Sequence, residues 1–246
     1  SKYGNGPVDR GFIGHKAAKL MKRSKTTEER QQKAIEQKSS LLKNAETAEK
    51  LKIQPLSYHA EVLASFSEAA AIYNGRQVGS GTSFCIHRGE RIFIDGTNGS
   101  GKSSLLKLLL NKPIEHSGTV TAGSGLVISY VPQDASYLEG RLSEFAEKNS
   151  LEESLFKTIL RKLDFERVQF EKDMKDFSGG QKKKVLLAKS LCEQAHLYVW
   201  DEPLNFIDVY SRIQIEQLIR QCSPTMLLVE HDRAFREAVA TKVITL

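Results

Sequence analysis

Residues Gly96-Thr97-Asn98-Gly99-Ser100-Gly101-Lys102-Ser103 fit the pattern G-x-x-x-x-G-K-[ST], and few patterns this short restrict a fold so strongly. A loop of this kind serves phosphate only when it joins a strand to a helix. Its backbone N–H groups must turn inward, beside the unbonded amides at the start of the helix. The flanks comply. Arg91-Ile92-Phe93-Ile94-Asp95 reads as a short buried strand, and Lys102 to Leu110, with leucines at 105, 106, 108, 109 and 110, reads as a buried helix. Three glycines let the backbone curl without Cβ clashes. Lys102 is then placed to reach the β- and γ-phosphates, the Ser103 hydroxyl to bind Mg²⁺, and Ser104 to extend the phosphate-binding set. A glycine-rich turn can match the pattern by chance, so the rest of the chain has to decide.

Phosphoryl transfer to water needs a cradled phosphate chain, a divalent ion, a positioned water and neutralised charge. The apolar run Leu197-Tyr198-Val199-Trp200 reads as a strand that ends in Asp201-Glu202-Pro203. Asp201 is placed to hold Mg²⁺ directly or through water, and Glu202 to orient or deprotonate the attacking water. Adjacent carboxylates can be plain surface residues. After a fully apolar strand and before a proline, the functional reading is the better one.

Composition narrows the setting. The chain of 246 residues is 40% hydrophobic and 27% charged, enough for one sizeable core and a second small unit. It holds no apolar stretch of membrane-spanning length and no apolar signal-peptide core near residue 1. Cys85, Cys192 and Cys222 are far apart and lack metal-ligand spacing, so free thiols in a reducing cytoplasm are expected. The net charge of +6 is uneven: residues 1–52 carry +7, and residues 53–246 carry −1. Such a basic segment is the electrostatic footprint of a surface that meets nucleic acid or anionic lipid, although solvated helices also carry such charge.

In chain order, residues 1–15 hold four glycines and a proline and read as an exposed loop. Residues 16–51 contain neither Gly nor Pro and read as a long helix with sparse apolar positions, expected to project from the body. A domain boundary is expected near residues 52–56. Beyond it, 60–65 and 77–86 read as strands of a β-rich subdomain, with Tyr73 in a turn between them. Residues 125–130 read as a strand leading to Gln133, and about 135–177 as a helical insertion. Helices are expected over 180–194, 207–221 and 233–240, with strands over 226–230 and 242–246. Alternating strands and helices predict an α/β fold with a largely parallel core sheet. The run Lys182-Lys183-Lys184 reads as a solvated helix face.

Phe177-Ser178-Gly179-Gly180-Gln181, Gln133, Leu204-Asn205-Phe206-Ile207-Asp208 and His231 resemble, in order and spacing, the signature motif, Q-loop, D-loop and switch histidine of ATP-binding cassette (ABC) ATPases. The resemblance covers residues 57–246. It implies an ABC-type P-loop fold with a β-rich subdomain, a parallel core sheet and a helical insertion, and ATP and Mg²⁺ as ligands. It also implies that ATP is sandwiched between the phosphate loop of one cassette and the signature motif of another. Ser178, Gly179, Gly180 and Gln181 would then meet a nucleotide held by the partner, with Glu202, His231 and Gln133 catalytic, and Ser103, Gln133 and Asp201 around the metal. Tyr73 corresponds to the aromatic residue that stacks on adenine. Phe177 stands where Leu is usual, and Phe206 where His is usual.

Within that family, residues 9–25, running from Asp9-Arg10-Gly11-Phe12 to Lys25, resemble the linker tip and descending helix of ABC-F proteins. They are most similar to the branch that confers resistance to lincosamides, pleuromutilins and streptogramin A. The resemblance implies a cytoplasmic ATPase acting on the ribosome and its rRNA through the basic linker, with a second cassette supplied by the missing half of the same chain or by a head-to-tail homodimer. The chain begins without Met and is expected to be the second half of such a protein. Three alternatives remain. A transporter subunit would not be expected to begin with a long basic helix. A chromosome-maintenance ATPase would need a very long insertion between Lys102 and Asp201. A housekeeping ABC-F translation factor is the nearest rival.

Overall fold

The structure, a computed structural model, describes residues 53–246; the expected loop over 1–15 and helix over 16–51 lie outside the described residues. In chain order the elements are β1 (Val62–Tyr73), β2 (Arg76–Gln77), β3 (Thr82–His87), β4 (Arg91–Asp95), α1 (Lys102–Leu109), β5 (His116–Ala122) and β6 (Ile128–Val131). There follow α2 (Leu142–Lys148), α3 (Glu153–Lys162), two 3₁₀ turns (Arg167–Glu171 and Met174–Asp176), α4 (Gly179–Cys192), β7 (Leu197–Asp201), α5 (Val209–Cys222), β8 (Met226–Val229), α6 (Arg233–Val239) and β9 (Lys242–Thr245).

The expected α/β class is the observed one: a parallel sheet in the order β6-β7-β8-β4-β9 carries the core. Its central strands β7 and β8 are buried throughout, which is why they read as unbroken apolar runs. Alternate residues feed two cores. Phe93, Tyr198, Trp200, Met226 and Leu228 face one, with α4 and the helical insertion. Ile92, Ile94, Leu197, Val199, Leu227 and Val229 face the other, with α1 and the antiparallel sheet. Burying each such side chain contributes roughly 1.5–3 kcal/mol before conformational entropy is offset.

The antiparallel sheet differs from expectation. One strand, β1, runs from Val62 to Tyr73 where a strand over 60–65 and a following turn were expected; the strand expected over 77–86 divides into β2, two residues long, and β3; and β5 was not anticipated. A bulge explains the miss. Glu68 takes φ 48°, the pairing of β1 shifts register between Phe66 and Ala69 against β3 and between Ser67 and Ala70 against β5, and period-two alternation is lost there. Gly118 of β5 passes so close that a Cβ would meet the Glu68 carbonyl oxygen at 2.2 Å. Tyr73 therefore ends a strand instead of sitting in a turn. The insertion resolves into α2, α3 and the two 3₁₀ turns, with Phe156, Ile159 and Leu160 buried on one side of α3.

Register aligns the strand ends that matter. Ile94 and Asp201 both lie beside Val229, and Trp200 lies beside Val131. The loop after β4, Gln133 after β6, Asp201 at the end of β7 and His231 after β8 thus share the carboxyl edge of one parallel sheet, where open α/β sheets bind ligands. Among the described residues no helix is long and apolar enough to cross a membrane. The three cysteines are partly buried and unpaired, and burial pushes the Cys192 thiol up to about 12.

Candidate active site

The phosphate loop occupies the turn from β4 into α1. Gly96, Gly99 and Gly101 have φ of 151°, 82° and 101°, and Gly101 is the N-cap of α1. In that left-handed conformation a side chain would be strained. No side chain caps α1 and no acidic residue lies in its first turn, so its leading amides are left for an anion. Lys102 is buried, and its ammonium donates to the carbonyls of Gly96 and Thr97 at 2.9 Å each, which places the charge inside the curl. The Ser100 hydroxyl is buried within the loop and has no partner among the described residues. Thr97, Asn98 and Gly99 are exposed at the loop's rim.

Ser103 and Asp201, 98 positions apart in sequence, meet here: the Ser103 hydroxyl donates to Asp201 Oδ1 at 3.0 Å. Asp201 is 1% exposed, and its Oδ2 is buried without a partner among the described residues. Burial pushes its pKa up, opposed by the Ser103 hydrogen bond and reinforced by Glu202. A buried carboxylate oxygen with nothing to accept from is costly, and a divalent cation beside a serine hydroxyl would satisfy it. The residues present fit Mg²⁺. Gln133 is exposed just past β6, on the same edge.

Glu202 follows Asp201 with φ 48°, its amide donating to the Val229 carbonyl at 2.8 Å. This turns its carboxylate between two loops. Asn205 Nδ2 donates to Oε2 at 2.5 Å, and His231 Nε2 lies 3.4 Å from Oε1. Such a carboxylate, aimed and half-buried, is suited to accept a proton from water. The Tyr73 hydroxyl lies 3.0 Å from Ser104 Oγ, so its ring stands beside the start of α1.

Ser178 caps α4 through a reciprocal box: its hydroxyl oxygen accepts from the Gln181 amide at 3.3 Å, and Gln181 Oε1 accepts from the Ser178 amide at 2.9 Å. In this box the Ser178 hydroxyl serves as an acceptor, and its proton remains available to donate. Among the described residues no hydrogen bond joins Ser178–Gln181 to Gly96–Ser103 of the same chain. Phe206 of the loop before α5 rests on the signature glycines: a Cβ on Gly180 would meet the Phe206 carbonyl oxygen at 2.4 Å.

The lysine run is the clearest departure from expectation. Lys183 and Lys184 are buried, not solvated. Lys183 Nζ donates to the Pro132 carbonyl at 2.9 Å, tying α4 to the segment that carries Gln133, and lies 3.5 Å from the Asp201 carbonyl. Burial lowers its pKa against the opposing pull of Asp201, Glu202, Glu230 and Asp134. Lys184 pairs with Asp208 at 2.6 Å, and Lys182 reaches the Ser136 carbonyl at 3.0 Å. Their lone sequence signal was position: three cations four to six residues past the N-cap Ser178 lie towards the unfavourable positive end of the helix dipole and need a local reason to be there. Asn205 and the buried Glu230 were also not singled out.

Comparison with known proteins fits this arrangement. The family described as "ABC transporter" matches residues 80–205. The chain is 34% identical over 168 residues to "Putative ATP-binding protein YdiF" of Bacillus subtilis, covering 67% of this chain and 26% of that protein. It is 32% identical over 171 residues to "Ribosome protection protein VmlR" of the same organism, covering 67% and 30%. Among solved structures, "Structure of ATP binding subunit of ABC transporter" superimposes with a TM-score of 0.64 at 23% identity, covering 75% of this chain and 85% of that one. The chain spans about a quarter to a third of the curated relatives named here.

Proposed function

This chain belongs to the ABC transporter family, and we propose that it hydrolyses ATP when paired head to tail with a second cassette, and that it does so on the ribosome. The cassette is an ATP-binding domain by family; hydrolysis, pairing and the ribosome are our reading. The observation that carries it is the meeting of Ser103 with Asp201, whose second oxygen is buried without a partner, beside a Glu202 held by Asn205 and His231.

Bound ATP places its phosphates in the loop Gly96–Ser103, where the amides of the loop and of α1 donate to their oxygens. Lys102 exchanges its two carbonyl partners for the β- and γ-phosphate oxygens. Ser103 and Asp201, with Gln133 close by, would hold Mg²⁺, which supplies charge neutralisation along the phosphate chain. Glu202 accepts a proton as water attacks the γ-phosphorus; the bond to the bridging oxygen breaks and ADP leaves. His231 and Asn205 keep that carboxylate aimed. Ser178 and the Gly179 and Gly180 amides donate to the γ-phosphate of the nucleotide held by the partner, across the developing charge. Tyr73 stacks on the base.

The ribosome enters on two grounds: the +7 charge of residues 1–52, suited to rRNA phosphates, and the likeness to a relative named as a ribosome protection protein. Antibiotic target protection is the finer reading. Glu202→Gln in the full-length protein tests the chemistry. Turnover should fall by about 10²-fold or more, in the range of general-base catalysis. ATP should still bind, and the protein should stay trapped on ribosomes. Free cycling by this variant would remove Glu202 from its role. Recruitment to membranes in place of ribosomes would replace the ribosome with a transporter. An unchanged drug sensitivity on expression would leave a housekeeping factor instead of a protection factor.

A further inference from the structure

Glu230, directly after β8, is 5% exposed and lies in neither the phosphate loop nor the Ser103–Asp201 pair. A carboxylate buried this far is costly unless hydrogen bonds replace its water. Three backbone amides do so. Oε2 accepts from Leu204 at 3.0 Å, and Oε1 accepts from His231 at 2.8 Å and from Asp232 at 3.3 Å. Leu204 belongs to the loop between β7 and α5, and the other two to the loop between β8 and α6. One side chain therefore binds two loops.

Arg212 of α5 makes the same connection through different atoms. It donates from Nη1 to Asp232 Oδ2 at 2.6 Å, from Nη2 to the Leu204 carbonyl at 3.2 Å and from Nε to the Ile207 carbonyl at 3.1 Å. Each of the two loops so joined contributes one of the residues that grip Glu202: Asn205 from the first, His231 from the second. Glu202 itself sits at φ 48°, a conformation that persists only where the surroundings over-determine it.

We propose that Glu230 is a positioning residue that locks the two loops into one unit, with Arg212 as the second tie, so that Asn205 and His231 aim the Glu202 carboxylate together. This rests on the reading of Glu202 as the group that activates water. Phe206, 82% exposed in the first loop, gives the unit an outward contact point. A partner cassette pressing on Phe206 would thereby shift His231 as well.

The test uses the full-length protein. Glu230→Gln keeps the shape but puts an amide NH₂ against backbone N–H donors, and Glu230→Asp keeps the charge but is one methylene too short to span both loops. Both should lower kcat at least tenfold while KM and equilibrium affinity for ATP stay within about twofold, a split that a general loss of structure would not produce. Added to Glu202→Gln, Glu230→Gln should cost no further rate, because the carboxylate it aims is already gone. A readout independent of turnover is amide exchange at Ile207, bonded to the Leu204 carbonyl, and Phe235, bonded to Asp232 Oδ1. Both should exchange at least tenfold faster in Glu230→Gln, and both again in Arg212→Met. Unchanged exchange, or loosening of one loop alone, would overturn the tie; an unchanged kcat, or a loss that adds in full to that of Glu202→Gln, would overturn its role in aiming Glu202. Should Glu202→Gln alone turn over normally, the water-activating reading fails, and the exchange data still decide whether Glu230 couples the loops.

Discussion

The phosphate loop and the signature helix are both glycine-rich turns that open into helices, yet the chain treats them oppositely. Around Gly96–Ser103 the protein closes on itself: Lys102 is buried against carbonyls, and Ser103 meets an aspartate from a strand 98 positions away. Around Ser178–Gln181 the side-chain bonding is local, within the reciprocal cap, and the neighbour of the two glycines is the exposed Phe206. On the proposed function, the first holds the nucleotide within a single chain, and the second presents its donors to a nucleotide held by a second cassette.

Lys102→Ala breaks the comparison hardest. Loss of two charge-assisted bonds, each about 1.5–3 kcal/mol, should weaken ATP binding to the single chain by about a hundredfold or more, measured by equilibrium titration. Ser178→Ala in the same assay should leave affinity within about twofold; a large loss there would show the two turns to be alike. Gly180→Ala comes next. Its Cβ would lie 2.4 Å from the Phe206 carbonyl, so the loop must move, and turnover of the paired protein should fall about tenfold with ATP binding to the single chain intact.

Lys183→Met sharpens the contrast by separating α4 from the phosphate side. The Pro132 carbonyl loses its donor, an expected cost of about 1–3 kcal/mol that a thermal melt would register as a fall of several degrees. The smallest effect belongs to Asp208, which caps α5 and pairs with Lys184. Burial opposes ionisation of this carboxyl, but Lys184 and the Ser211 amide outweigh it and hold its pKa below the ordinary 3.8. A depressed folded value stabilises the fold above pH 3.8 and ceases to do so as pH falls through it. Asp208→Ala should therefore cost about the 1 kcal/mol of stability typical of an N-cap at neutral pH, read as a fall of a few degrees in melting temperature, and the fall should shrink below the depressed value.

Contiguity decided how much could be read in advance. The phosphate loop and the strand ending at Asp201 are short stretches whose geometry is set by their own residues, so their places were legible from pattern alone, whereas Ser178 was picked out only by the family resemblance. β1 was not, because the bulge at Glu68 answers to the backbone of β5 and breaks the alternation that would reveal a long strand. β5 was missed for a related reason: His116–Ala122 is mostly exposed and offers little apolar periodicity. Lys183 and Glu230 look like surface charges because nothing adjacent to them in sequence tells of the Pro132 carbonyl or the Leu204 amide.

By itself, then, the order of residues determined the phosphate-binding turn, the succession of motifs and the α/β class, since each depends on interactions within a few residues or on simple periodicity. The tertiary structure alone decided the strand order that brings those motifs to one edge, and the burial of Lys183 and Glu230 among partners from distant segments. The physical reason is that the cost of burying a charge is set by the groups that replace its water, and those groups come from parts of the chain that only folding brings near.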